Sequence, residues 1–181
     1  MEFVCTDPTA TVRGANVRST LDAFSLLPLA GRALLTRHGL KPEDLREDQF
    51  LPLQRWLNAL REIDAEVGPS VMRKIGSHVI ENADFPPAFA DVESILLALD
   101  EIYHVNHRGE VGHYSSSRDE DGTIRVRCET PYPRQFERGL VEGICRSRRA
   151  DGRRFSVEFI EGPNAGNLTC TLLVRAEDVG G

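Results

Sequence analysis

A chain of 181 residues, 40% apolar and 28% charged, is long enough for one domain with a real core and short for two. Its 22 basic against 28 acidic residues leave a formal charge of -6, which offers no net attraction to a nucleic-acid backbone or an anionic membrane. No apolar run approaches the roughly 18 to 20 residues that cross a bilayer. The four cysteines, Cys5, Cys128, Cys145 and Cys170, are too widely spaced for a structural zinc site. With no basic or apolar leader in MEFVCTDP, a reducing cytoplasm is the expected setting.

Residues 1–18 carry Pro8 and Gly14 without sustained periodicity and read as an N-terminal arm or ordered lead-in to a single domain over 19–181. From Ser19 or Thr20, Leu21, Phe24, Leu27, Leu34 and Leu35 recur at helical spacing, with Pro28 and Gly31 set to bend or divide the run. Pro42, followed by Glu43 and Asp44, opens another helical turn. Leu53, Trp56, Leu57, Leu60 and Ile63 then line one face of a helix that stops near Gly68. Pro69 restarts the chain, with Val71, Ile75 and Val79 facing inward. After DFPPAF, the residues Val92, Ile95, Leu96, Leu99, Ile102 and Tyr103 mark one further helix.

Beyond Glu110 the period shortens to two. VGHYSSSR and TIRVRCET, joined through DEDGT, predict a hairpin; Ile124, Val126 and Cys128 alternate with Arg125, Arg127 and Glu129. PYPRQ ends it, and a helix carrying Phe136, Leu140, Val141, Ile144 and Cys145 follows. Two more strands, marked by Phe155, Val157 and Phe159 and by Leu168, Cys170, Leu172 and Val174, flank GPNAG. The expected fold is α+β: N-terminal helices packed on a four-stranded antiparallel sheet with a helix inserted between two β-hairpins.

No phosphate loop, dinucleotide fingerprint, HExxH site or nucleophile elbow occurs, so the common short-motif enzyme classes lack support. Glu137 and Glu142 share a helix with Arg138 and Arg146 at spacings ordinary for solvated ion pairs. His104 and His107 lie three apart where a helix is ending, with His113 beyond; they read either as structural or capping residues or as a metal contact. The arginines at 146, 148, 149, 153 and 154 read as a solvated turn rather than a nucleic-acid surface, because Phe155 belongs to the strand alternation. Cys128, Cys145 and Cys170 all occupy apolar positions, and only the fold decides whether they meet.

Three segments, LDEIYHVNHRG, HYSSSR and ERGLVEGI, resemble the second half of the haem nitric-oxide/oxygen binding (H-NOX) domain. Its wider superfamily includes the 4-vinyl-reductase-like (V4R) small-molecule domains and the TRAPP trafficking subunits. CETPYPRQFERGLVEGI is most similar to the V4R-related branch. The order of elements matches over roughly residues 20–175, the recognisable motifs over about 40 residues. The resemblance implies helices followed by the same four-stranded sheet with its inserted helix. It makes haem a candidate cofactor, with Tyr114, Ser116 and Arg118 matching the Tyr-x-Ser-x-Arg motif that holds haem propionates. At the position of the family's iron-binding histidine this chain has Tyr103, and His104 is one residue further, about 100° around an ideal helix.

The reading that follows is a sensory or regulatory domain enclosing a small, largely apolar molecule between helices and sheet. Val92, Leu96, Leu99 and Leu140 are the expected pocket, Tyr103, His104, Tyr114, Ser116 and Arg118 the expected cofactor contacts, and His104 with His107 the metal candidates. Output through a homodimer or a signalling partner is expected, with no nucleic acid and no membrane span. The alternatives are a haem-binding gas sensor and an interaction module with a filled core. An enzyme ranks below these, since no nucleophile, base and orienting group assemble from the text.

Overall fold

The computed structural model describes residues 2–83, 89, 91–147, 152–160 and 170–177. Most of DFPPAF, Arg148 and Arg149, GPNAG and Leu168 lie outside these residues. Pro28 divides the first helical run as its missing N–H and fixed φ require: α1 spans Gly14–Ala23, and Pro28 opens α2, Pro28–Arg37. A short 3-10 turn at Pro42–Asp44 precedes α3, Leu53–Val67, and Pro69 starts α4, Pro69–Asn82. The helix expected after DFPPAF is two helices, α5 at Val92–Leu97 and α6 at Leu99–Asn106, offset at Ala98. A capping box between Asp91 and Ser94 starts α5.

Residues 2–18 are not a separate arm. Thr11–Arg13 form β1, the middle strand of a small antiparallel sheet with β2 (Phe50–Pro52) and β3 (His107–Arg108). Val12 and Val17 are fully buried within it and behind it. Gly14 is part of the reason: its N–H bonds the Gln49 carbonyl at 2.7 Å, and a Cβ there would sit 2.2 Å from the Arg46 carbonyl oxygen. The lead-in is thereby pinned to the turn before β2.

The larger sheet has the anticipated topology. β4 (His113–Arg118) pairs with β5 (Ile124–Glu129), β6 (Arg154–Ile160) pairs with β7 (Cys170–Glu177), and β5 joins β7, giving the order β4-β5-β7-β6. Between the hairpins runs α7, Arg134–Arg146. It packs on α4 nearly backbone to backbone. A Cβ at Gly139 would lie 1.9 Å from the Arg73 carbonyl oxygen, one at Gly143 2.7 Å from that of Ser77, and one at Gly76 2.1 Å from that of Phe136. Gly139 and Gly143 thus serve the close approach of a neighbouring helix of the same chain. A continuous core, from Val12 through Trp56, Ile75 and Ile95 to Val126, Val141 and Leu172, joins the two sheets and the helices.

Candidate functional site

The chemistry-bearing side chains converge where α1, α3, α4, α6 and α7 meet β4. α6 buries Ile102, Tyr103 and Asn106 and exposes His104, because residues one apart on a helix point about 100° from each other. The Tyr103 hydroxyl donates to the Val111 carbonyl at 2.8 Å, and its ring packs against His107 at 4.1 Å and edge-on to Tyr114 at 5.1 Å. The Asp100 carboxylate accepts the Tyr114 N–H at 2.8 Å, tying α6 to β4.

His107 is fully enclosed. Burial pushes its imidazole down to about 3, against a smaller opposing effect of the hydrogen bond to the Tyr103 backbone, so it is neutral. Its Nδ1 lies 2.9 Å from the Tyr103 carbonyl, an acceptor only, which assigns the proton to Nδ1. Nε2 then accepts the Tyr132 hydroxyl at 2.7 Å. Tyr132 stacks on Phe136 at 4.6 Å, and Trp56 meets both rings edge-on. The Trp56 indole N–H donates to the Thr20 hydroxyl at 3.0 Å, which extends the cluster to α1.

A second buried group lies under α7. Glu137 is completely enclosed, with Tyr114 donating to Oε2 at 2.7 Å and Thr130 donating to Oε1. Burial raises its carboxyl to about 7, against the lowering effect of these two bonds. The spacing that read as a solvated ion-pair face is therefore corrected here, since Glu137 points into the sheet. Glu142 is also buried, but burial's upward push is overcome by bonds from Arg73 and Arg138, which hold its carboxyl below the usual range.

Inside the aromatic cluster is a cavity of about 40 Å³. Leu99 and Leu140 of the expected pocket and Tyr103 and Tyr114 of the expected cofactor contacts line it, together with Asn16, Trp56, His107 and Tyr132. Val92 and Leu96 do not line it; they are fully buried core residues on α5. Asn16 is 3% exposed, and its Oδ1 has no hydrogen-bond partner among the described residues.

Several expected contacts are separated from this cavity. The half-exposed His104 lies with Nδ1 2.8 Å from the Asp100 carbonyl, whereas His107 is buried with both nitrogens engaged, so the two do not form a metal pair. Among the described residues no group of three metal-ligating side chains occurs. Tyr114, Ser116 and Arg118 share one face of β4, as alternate strand positions must. Of these three, Tyr114 reaches the cavity, while Arg118 is half-exposed and pairs with Glu93 at 3.1 Å. Ser116 Oγ is buried without a partner among the described residues. Sequence reasoning missed Asn16, Trp56, Tyr132, His107 as a cavity wall, and Glu137. A polar side chain on the apolar stripe of α7, flanked by Phe136 and Leu140, is the signal that could have found Glu137.

No family model and no curated protein matches the chain. Solved structures do. An H-NOX protein from S. oneidensis in the Fe(II)NO ligation state superposes with a TM-score of 0.69 at 14% identity, covering 92% of this chain and 99% of that one. A mutant of the T. tengcongensis H-NOX gives 0.67 at 12% identity, over 92% and 98%. An oxygen-binding H-NOX domain related to soluble guanylate cyclases, as its oxygen complex, gives 0.65 at 14% identity, over 91% and 93%. The chain has the H-NOX fold. The resemblance read from HYSSSR and ERGLVEGI thus extends to the three-dimensional path of almost the whole chain, and the cavity lies within that H-NOX framework. No helix among the described residues is long and apolar enough to cross a membrane.

Proposed function

We propose that this chain is a sensory domain that uses the H-NOX fold to enclose a small, largely apolar molecule directly in the aromatic cavity. The observation that carries the reading is the partly enclosed cavity bounded by Leu99, Ile102, Leu140, Tyr103 and Tyr132. Tyr103, His107 and Tyr132 on its polar rim are engaged in their own bonds and only Asn16 Oδ1 among the described lining groups has no partner, so apolar contact dominates what is left for a ligand. About 40 Å³ suits a molecule of gas size, and nitric oxide and oxygen are what the neighbouring H-NOX structures hold. On this reading the output is a change in homodimer packing or in affinity for a signalling partner in the cytoplasm, the use closest to the V4R-like branch.

The second reading, a haem-binding gas sensor, is the one the H-NOX neighbours favour as the use of this fold. What speaks for the first reading is the side-chain arrangement of this chain. Drug-sized ligands alone take about 300–1,000 Å³, and a haem is larger than most of them. Tyr103, at the axial position, has its hydroxyl bonded to Val111, and Tyr114 is bonded to Glu137. Arg118 is engaged outside with Glu93. The residues present do not fit the macrocycle.

The test is dissolved xenon, titrated while methyl resonances are followed by NMR, since dry apolar cavities take up this atom. Saturable shifts confined to Val79, Ile80, Leu99, Ile102 and Leu140 are expected. Shifts that are absent, or scattered over the surface without saturation, would overturn direct enclosure.

A further inference from the structure

The topology brings two of the four cysteines into direct opposition. Cys128 closes the apolar alternation of β5, Cys170 opens β7, and the antiparallel register pairs them one to one. Directly opposed residues in such a ladder have Cα atoms about 4.5–5.5 Å apart, inside the roughly 4.4–6.8 Å range that a disulfide spans. Both are free thiols, 0% and 8% exposed, on the same face of the ladder. Tyr114 stands opposite Cys128 on the other side, so Tyr114, Cys128 and Cys170 form a row across β4, β5 and β7 on the face that α7 covers. Above this row is Glu137, bonded to Tyr114 and near enough for its charge to raise the Cys128 thiol. Cys5 is committed elsewhere, its thiol donating to the Glu110 carbonyl at 3.5 Å, and Cys145 borders the open groove beside Arg146 and Arg154.

We propose that Cys128 and Cys170 are a reversible redox site, closing to a cross-strand disulfide between the two central strands of the sheet, with hydrogen peroxide or a small hydroperoxide as oxidant and Glu137 as proton relay. The Cys170 sulfur attacks a peroxide oxygen; the O–O bond breaks, the Cys170 thiol proton passes to the departing oxygen, which leaves as water or an alcohol, and Cys170 becomes a sulfenic acid. Cys128 passes its proton to the Glu137 carboxylate and attacks the Cys170 sulfur. The S–S bond forms, the S–O bond breaks, and the departing hydroxide takes the proton from Glu137 to leave as water. Two thiols and one hydrogen peroxide thus give one disulfide and two waters, a two-electron balance. Cys170 is the first to react because it alone of the pair retains any exposure. The crosslink fixes β5 to β7 beneath α7, the helix whose Leu140 lines the cavity.

The purified full chain is treated with hydrogen peroxide, quenched, denatured, alkylated and weighed, and its peptides are mapped without reduction. Two fewer alkyl adducts than on the untreated chain, a peptide joining Cys128 to Cys170, and full reversal by a phosphine reductant are expected. Cys5→Ser/Cys145→Ser retains the opposed pair and is expected to lose the same two adducts. Cys128→Ser leaves a Cys170 sulfenic acid that dimedone traps. Glu137→Gln slows ring closure several-fold without slowing that first oxidation; an unchanged closing rate would remove Glu137 from the step. Both cysteines remaining alkylatable after treatment, or gaining oxygen without a crosslink, would overturn the proposal, and the double variant decides this even where Cys128→Ser fails to fold.

Discussion

α7 presents two faces built on opposite principles. Toward α4 it removes side chains: Gly139 and Gly143 meet Arg73 and Ser77, while Gly76 on α4 meets Phe136, and the backbones come within contact. Toward the sheet and α6 it adds them, with Phe136, Glu137 and Leu140 reaching Tyr132, Tyr114 and the cavity. The seam leaves no freedom, because neither backbone can yield to a Cβ. The aromatic side is held by directed bonds between large rings, whose imperfect filling leaves a space that a ligand of gas size can use. A rigid seam and an adaptable pocket on one helix fit the proposed sensory role, since occupancy of the second is transmitted only if the first does not give.

The largest expected effect breaks the seam. Gly139→Val places carbon inside the contact distance of a backbone oxygen and should cost about 3 kcal/mol or more, read as a fall in the urea midpoint, whereas substitution in the adaptable half is milder. Next comes pH. The Glu137 carboxyl is raised to about 7 in the folded chain from an ordinary 4.5, so the stability of its neutral form is complete below about pH 4.5 and is lost as pH rises toward 7. His107, lowered to about 3 from 6.5, acts in the other direction: its contribution is present above about pH 6.5 and is lost as pH falls toward 3. The two slopes oppose each other between about pH 4.5 and 6.5, which predicts a broad maximum there. Glu137→Gln should remove the decline between about pH 6.5 and 7, worth under about 1 kcal/mol, and let stability go on rising to about pH 6.5 instead of levelling near 4.5; urea titrations across pH read both.

A loss of about 1–3 kcal/mol, smaller than at the seam, is expected for Tyr132→Phe, which leaves His107 Nε2 buried without its donor. The same variant should raise the His107 exchange rate in NMR while the seam amides keep their protection. Smallest of all is Arg118→Ala, expected within about 0.5 kcal/mol because its ion pair with Glu93 is half-exposed. A large loss of stability or of ligand response in this variant would move the functional edge from the cavity to the outer end of β4.

The elements whose signal is local are readable in the text. Period-two alternation in TIRVRCET and the apolar stripe of FERGLVEGIC point to β5 and α7, and with them to the sheet, its inserted helix and the fold. Pro28 and Pro69 mark helix starts because proline's constraints act within one residue. β1, β2 and β3 are not legible: each has two or three residues, too few for a period, and their pairing joins Thr11, Pro52 and Arg108 across long stretches of chain. Gly14 reads as a loop residue, though its role is close approach to Arg46, a partner that only folding supplies. In the site, Tyr103, Tyr114, Leu99 and Leu140 come from motif and periodicity. Asn16 and Tyr132 come from distant segments and carry no pattern of their own, while the helical stripe that marks Trp56 does not say what it faces. Glu137 misleads because a carboxylate next to Arg138 on a charged helix reads as solvated, and only the fold shows that the sheet covers it while Glu142 makes the i, i+4 pairs.

The proposal most open to test is direct enclosure of a ligand by this H-NOX fold, whose cavity of about 40 Å³ is lined by Tyr103, Tyr114 and Tyr132. Its most direct measurement is a haemin titration of the purified chain, followed by absorption across the ultraviolet and visible range and by native mass spectrometry. The account predicts a colourless protein as isolated and no saturable one-to-one haem complex. A stoichiometric haem mass with a sharp Soret band, lost in Tyr103→Phe, would contradict it.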